Sequence, residues 1–314
     1  MELNFKVLIL FLILIPVAIT GVTLFYPFAL ISKKITRPEL GSDFEEKIQA
    51  SEKILKPLPN TGKIILWDDP SKKKTTYSFV YLHGWSATRQ ELSPVTENLA
   101  KNLKANLFMT RLTGHGLGTE GMGTVTTEAM LMDAEEALQV GKKLGEKVIL
   151  VGMSTGASLA LYLADKYPDE IADLILVSPN FRPFRKDALL TRGPFGPLLS
   201  RIVVGPYYEF EPKNKEQQKF WTCRYPSKAL TEMMNLVDGV RRIDLSRIQT
   251  PALFIYTEKD EVVNISFVKQ KFLELGSTKK KLLAINSPDH ILAGDIINPQ
   301  NTDLVIQEIQ KFLH

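Results

Sequence analysis

Short, mostly apolar runs alternate with longer stretches of helical spacing from about residue 62 to the end of the chain. The apolar runs fall at 62–67, 77–82, 105–112, 147–151, 171–177, 251–256 and 281–285. Between them, apolar positions recur at helical spacing over 93–103, 126–144, 155–166, 263–275 and 302–313. A strand that is apolar on both faces is covered on both faces. The pattern therefore predicts an α/β fold, with a mostly parallel, twisted sheet and helices on either side. Helix starts are marked by Ser93 ahead of Pro94, and by Thr126 or Thr127.

Two regions break the alternation. Residues 180–245 are rich in aromatics and proline without clear strand periodicity, which predicts an inserted helical cap. Extra core for the main domain is the competing reading. The insertion falls between two strands at the C-terminal edge of the sheet, where open α/β sheets bind ligands. This makes Phe181, Phe184, Tyr207, Tyr208 and Trp221 candidate substrate-binding residues. The second region is the N-terminus, where residues 7–31 carry no charge. About 20 helical residues cross a bilayer core, so this run suffices. It reads as a single-pass membrane anchor, with a cleaved signal and a buried helix as alternatives. Lys33, Lys34 and Arg37 follow the run and Lys6 precedes it, so charge favours a cytoplasmic domain by a narrow margin and both orientations stay open. The expected organisation is an anchor or signal at 1–32, a tether at 33–60 and one domain over 61–314, with the cap at about 180–245.

Composition narrows the field. A net charge of +4 is mild, and the basic residues are scattered in loops such as 72–74 and 279–281. No basic stripe interleaved with aromatics is present, so nucleic acid is not an expected partner. With Cys223 as the only cysteine, no intrachain disulfide or cysteine metal cluster can form. The histidines show no metal-ligand spacing, and neither a metal nor a cofactor is expected.

Candidate chemistry centres on Gly152-Met153-Ser154-Thr155-Gly156, between an apolar run and a helical stretch. That context fits a nucleophile elbow, in which a sharp strand-to-helix turn presents the serine hydroxyl beside the free N–H groups of the helix. A serine needs a base, and the base needs a carboxylate to orient it. Among four histidines, His314 is terminal, His83 ends a strand and His115 sits in a glycine-rich turn. His290, in the loop after the last strand run, is the candidate base. Asp260, directly after the run at 251–256, is the candidate carboxylate, with Glu258, Glu261 and Asp289 as rivals. The oxyanion donors expected are the backbone N–H groups of Thr155 and Trp85.

Taken together, His83-Gly84, Arg111-x-x-Gly114-His115-Gly116, the pentapeptide around Ser154, Lys259-Asp260-x-Val262-Val263 and Ser287-x-x-His290 resemble the serine α/β-hydrolases. The likeness is to the monoacylglycerol lipase and carboxylesterase branch and covers about residues 62–314. It implies an eight-stranded type of sheet, a cap after the sixth strand, hydrolysis of carboxylic esters without a metal, and a structural role for the segment around His115. The aromatic cap and the apolar N-terminus point to a lipid-like ester such as a monoacylglycerol or lysolipid, with contact to a membrane through the N-terminal run. Thioesterase, amidase or peptidase, and acyltransferase chemistry on the same three residues are the alternatives, with a non-catalytic anchored binding protein more remote. Oligomeric state is not legible in the sequence.

Overall fold

The computed structural model describes residues 35–314. The uncharged run at 7–31, and the anchor or signal expected of it, lie outside the described residues. No described helix is long and apolar enough to cross a membrane.

Nine strands are described: β1 (Ile64–Leu66), β2 (Thr75–Leu82), β3 (Asn106–Met109), β4 (Gly145–Met153), β5 (Ile171–Val177), β6 (Tyr207–Glu209), β7 (Arg224–Pro226), β8 (Ala252–Tyr256) and β9 (Lys280–Ala284). Seven of them form one sheet in the order β1-β3-β2-β4-β5-β8-β9. Only β1 runs antiparallel to its neighbour. The helices are α1 (Phe44–Leu55), α2 (Val95–Asn102), α3 (Gly118–Met122), α4 (Thr127–Leu144), α5 (Thr155–Lys166), α6 (Gly196–Val204), α7 (Lys215–Phe220), α8 (Lys228–Arg241), α9 (Ile265–Glu274) and α10 (Thr302–Leu313).

Successive residues of a strand face opposite sides, and the two cores follow that period. Val80 and Leu82 of β2, with Val148 and Leu150 of β4, pack with α4, α5, α8 and α9. Phe79 and Tyr81, with Ile149 and Val151, pack against α2 and α10. Thr126 caps α4 by accepting the Ala129 N–H at 3.0 Å. Ser93 does not cap α2. Pro94 takes the cap position, and the Ser93 hydroxyl donates to Glu97 at 2.7 Å instead.

Four features differ from expectation. The sheet has seven described strands rather than eight, and the cap follows the fifth strand of the chain. The cap is not purely helical, because β6 and β7 pair as a short antiparallel hairpin across Tyr208 and Tyr225. Three-residue strands are too short to show a period. Finally, residues 35–60, expected as a tether, pack on the domain: Ile35, Phe44 and Ile48 are buried in its core. Arg37 lies 3.6 Å from the centre of the Tyr167 ring and pairs with Glu170 at 2.8 Å. The α1 residue Glu52 pairs with buried Arg111 at 2.8 Å.

A tight passage lies at the start of α5. A Cβ on Gly156 would lie 1.9 Å from the Leu82 carbonyl oxygen, and one on Gly152 would lie 2.6 Å from the Ala157 Cα. Both obstructions are backbone, so neither can swing aside. Gly156→Ala is expected to cost on the order of 3 kcal/mol, read as a lower midpoint of denaturant unfolding. An unchanged midpoint would mean that α5 does not pass so close to β2.

Candidate active site

The turn between β4 and α5 holds Ser154 at φ 52° and ψ −113°, a backbone conformation that L-residues seldom adopt. Such strain costs on the order of 1–3 kcal/mol and persists only where the surroundings enforce it. Here the Ser154 N–H donates to the Val177 carbonyl at 2.8 Å, and the Ser154 carbonyl accepts the Ala157 and Asn180 N–H groups at 3.1 and 3.2 Å. The result projects the side chain of Ser154 from the C-terminal edge of the sheet into a cavity of about 490 Å³.

His290 lines the same cavity. Its loop is pinned by the Ser178 hydroxyl, which donates to the His290 carbonyl at 2.7 Å, and by the Asn298 amide, which donates to the Ile291 carbonyl. Asp260 Oδ2 lies 2.6 Å from His290 Nδ1. Asp260 Oδ1 accepts the N–H groups of Val262 and Val263 at 2.8 and 2.9 Å. Burial pushes the Asp260 carboxyl up, but the His290 ring and the two backbone donors outweigh it and hold it below its ordinary value. An ionised carboxylate only accepts, so Nδ1 carries the imidazole proton and Nε2 keeps a lone pair. That Nε2 is buried and has no hydrogen-bond partner among the described residues.

Two of the three rivals are engaged elsewhere. Asp289 pairs with Lys213, and Glu258 pairs with Lys269 at 2.7 Å. His83 is fully buried: its Nε2 accepts the Leu112 N–H at 3.0 Å, so its Nδ1 donates to the Gly84 carbonyl at 2.9 Å. Burial, and then the His115 ring, hold it well below its ordinary pKa. Burial pushes His115 down to about 4, and its Nδ1 donates to the Thr113 carbonyl at 3.0 Å. Both rings are neutral scaffold at neutral pH.

The turn after β2 places Trp85 against the cap. Its indole N–H donates to the Tyr225 hydroxyl at 2.9 Å, and its ring meets His115 edge-on at 5.2 Å. Neither the Trp85 nor the Thr155 backbone N–H has an acceptor among the described residues. Ser154, His290 and Trp85 are thus brought to one cavity, with Asp260 behind the histidine. Of the cap candidates, Tyr208 and Trp221 line it. Phe181 does not, being buried in the core against Phe254 with ring centres 6.2 Å apart. Phe184 is 54% exposed, and Tyr207 stacks on Arg224 outside the cavity. Sequence reasoning missed the apolar cap wall of Val203, Val204, Leu230, Met233 and Met234, and it missed Glu91 beneath the Trp85 turn. The helical spacing of Leu230 with Met233 and Met234 was a usable signal; Glu91 had none. The described residues contain no cluster of side chains able to hold a metal ion.

The family described as "Serine aminopeptidase, S33" matches residues 73–296. The thermostable monoacylglycerol lipase of Bacillus sp. (strain H-257) is 25% identical over 218 residues, covering 69% of this chain and 84% of that protein. Among solved structures, one from a study of the metagenome-derived lipolytic enzymes LipS and LipT superposes with a TM-score of 0.69 at 18% identity, covering 82% of this chain and 98% of that one. The monoacylglycerol lipase of Paleococcus ferrophilus gives a TM-score of 0.59 at 16% identity, covering 80% and 97%. These structural likenesses identify the α/β-hydrolase fold.

Proposed function

We propose, since the chain belongs to the serine aminopeptidase family of α/β-hydrolases, that it is a carboxylic ester hydrolase working through an acyl-enzyme on Ser154. The observation that carries this reading is the unpartnered Nε2 of His290, in one cavity with Ser154, while Nδ1 is held by Asp260. His290 takes the Ser154 proton as the oxygen attacks the ester carbonyl. The oxyanion receives hydrogen bonds from the Thr155 and Trp85 N–H groups, at the positive end of α5. His290 then protonates the departing alcohol. Water repeats the sequence on the acyl-enzyme, releasing the acid and restoring the serine. Asp260 keeps the imidazole in the right tautomer and stabilises its charged form.

The apolar cap wall supports an acyl chain in the cavity. We assign monoacylglycerols and lysolipid-like esters as the substrate class, in keeping with the lipases among the relatives. The uncharged run at 7–31 supports a membrane anchor. The test uses the full chain, recovered from an alkali-washed membrane pellet, a fluorophosphonate probe, and a panel of esters of rising chain length with matched aminoacyl amides. Labelling of Ser154 and a preference for medium or long acyl esters are expected. Selective cleavage of the amides would make the protein a peptidase, and recovery in the soluble fraction would remove the anchor.

A further inference from the structure

The reaction leaves one buried carboxyl beside the cavity unused. Glu91 ends the 3₁₀ turn Arg89–Glu91 and is 3% exposed. Its Oε2 accepts the Gly84 N–H at 2.6 Å and the Tyr81 hydroxyl at 3.1 Å. It fills the space a side chain at position 84 would need, because a Cβ on Gly84 would lie 2.6 Å from Glu91 Oε1. The carboxyl lines the cavity together with Ser154, Trp85 and His290.

Gly84 sits between two peptide units, and each is tied by a different side chain. The unit before it gives its N–H to Glu91. The unit after it gives its carbonyl to His83 Nδ1 at 2.9 Å. That second unit also carries the Trp85 N–H. In a planar trans peptide the N–H points opposite to the carbonyl, so fixing one fixes the other. Glycine alone resists twisting poorly, and without both ties the Trp85 N–H would sweep over many directions.

We infer that Glu91 is a positioning residue of the oxyanion site: together with the His83 bond to the Gly84 carbonyl, its hold on the Gly84 N–H sets the direction in which the Trp85 N–H points. This inference rests on the reading of Ser154 as nucleophile and of the Trp85 N–H as oxyanion donor. Charge adds a signature that a merely structural contact lacks. Burial drives the Glu91 carboxyl up to about 7, against the pull of the Gly84 N–H, His290 and Tyr81. The titratable groups around it are Tyr81 on β2 and His290 in the loop after β9, with Glu97 of α2 acting on Tyr81 from further off. The neutral acid keeps Oε2 as acceptor for both donors, with its proton on Oε1. The carboxylate keeps the same bonds but adds a negative charge beside the place where the oxyanion forms. Turnover therefore declines as pH rises through the Glu91 ionisation.

Glu91→Gln keeps an acceptor for Gly84 and is neutral at every pH, whereas Glu91→Leu removes the acceptor. Steady-state ester hydrolysis is measured from pH 5 to 9, alongside the rate of phosphonylation of Ser154 and a melting curve. Glu91→Leu is expected to lower kcat by about 10–100-fold, part of the 10²–10³ that loss of one donor costs, with KM within threefold. Glu91→Gln is expected to recover most of that loss and to lack the decline near pH 7. A folded Glu91→Leu turning over at the wild-type rate would overturn the proposal, as would a glutamine variant as slow as the leucine one. If Glu91→Leu does not fold, the pH profile of Glu91→Gln decides, and an unchanged alkaline decline overturns the proposal. A wild-type protein that neither labels nor cleaves esters would instead refute the underlying reading of Ser154, and this inference with it.

Discussion

Ser154→Ala loses ester turnover by on the order of 10⁵–10⁶-fold and abolishes fluorophosphonate labelling, while its melting temperature stays within a few degrees of wild type. The loss is this large because no neighbouring group can take over. Another nucleophile would need a hydroxyl at the same strained turn, and Thr155, the next residue, is fully buried. The fold is spared because alanine removes one oxygen and leaves the glycines around it, which make the turn possible, in place. On the proposed reading, the residual rate comes from the oxyanion donors acting on water. Single-turnover hydrolysis of a chromogenic ester measures it. Retention of more than about a hundredth of the activity would move the nucleophile elsewhere.

Asp260→Asn is expected to lower kcat by about 10⁴-fold, the scale of removing the orienting carboxylate from a Ser-His-Asp set. Its cause can be traced atom by atom. The N–H groups of Val262 and Val263 both point at Oδ1, so an asparagine must place its carbonyl oxygen there. Its amide N–H₂ is then turned toward His290 Nδ1, where the carboxylate Oδ2 stood 2.6 Å away. Two donors cannot face each other, so Nδ1 gives up its proton and Nε2 takes it, leaving no lone pair to receive the Ser154 proton. The substitution changes no volume and keeps both backbone hydrogen bonds. KM and the melting curve should therefore move little while kcat and phosphonylation fall together. A variant losing less than about tenfold in kcat would show that Asp260 does not set the imidazole tautomer.

Much of the frame was legible because its signals are local. The strand at 171–177 and the helices at 155–166 and 302–313 were placed to the residue, since a short apolar strand run and helically spaced apolar positions each carry a local period. The gathering of Ser154, Asp260 and His290 at one edge was legible because each follows a strand run, and parallel strands deliver their trailing loops to one edge. The cap was legible only as an interruption. Its hairpin is three residues a side, shorter than any period can register. Aromatic content did not separate Phe181, which fills core against Phe254, from Tyr208 and Trp221, which line the cavity. That difference is set by which way each short element turns. Glu91 was invisible for another reason: Arg89-Gln90-Glu91 reads as an ordinary polar turn, and its partners are defined only once β2 and the turn after it have folded together.

The cap is sewn to the reactive loops at several stitches. The Thr222 N–H donates to the Ser86 carbonyl at 2.8 Å, the Trp85 indole donates to Tyr225 at 2.9 Å, and Asn214 donates to the Ile296 carbonyl at 2.7 Å, with Lys213 on Asp289 beside His290. On the proposed reading, selectivity and speed are therefore coupled through this seam. A laboratory lineage bred to accept a different chain length by reshaping the cap would drift in rate as well, and its compensating changes should collect along the seam at Trp85, Tyr225 and Asp289.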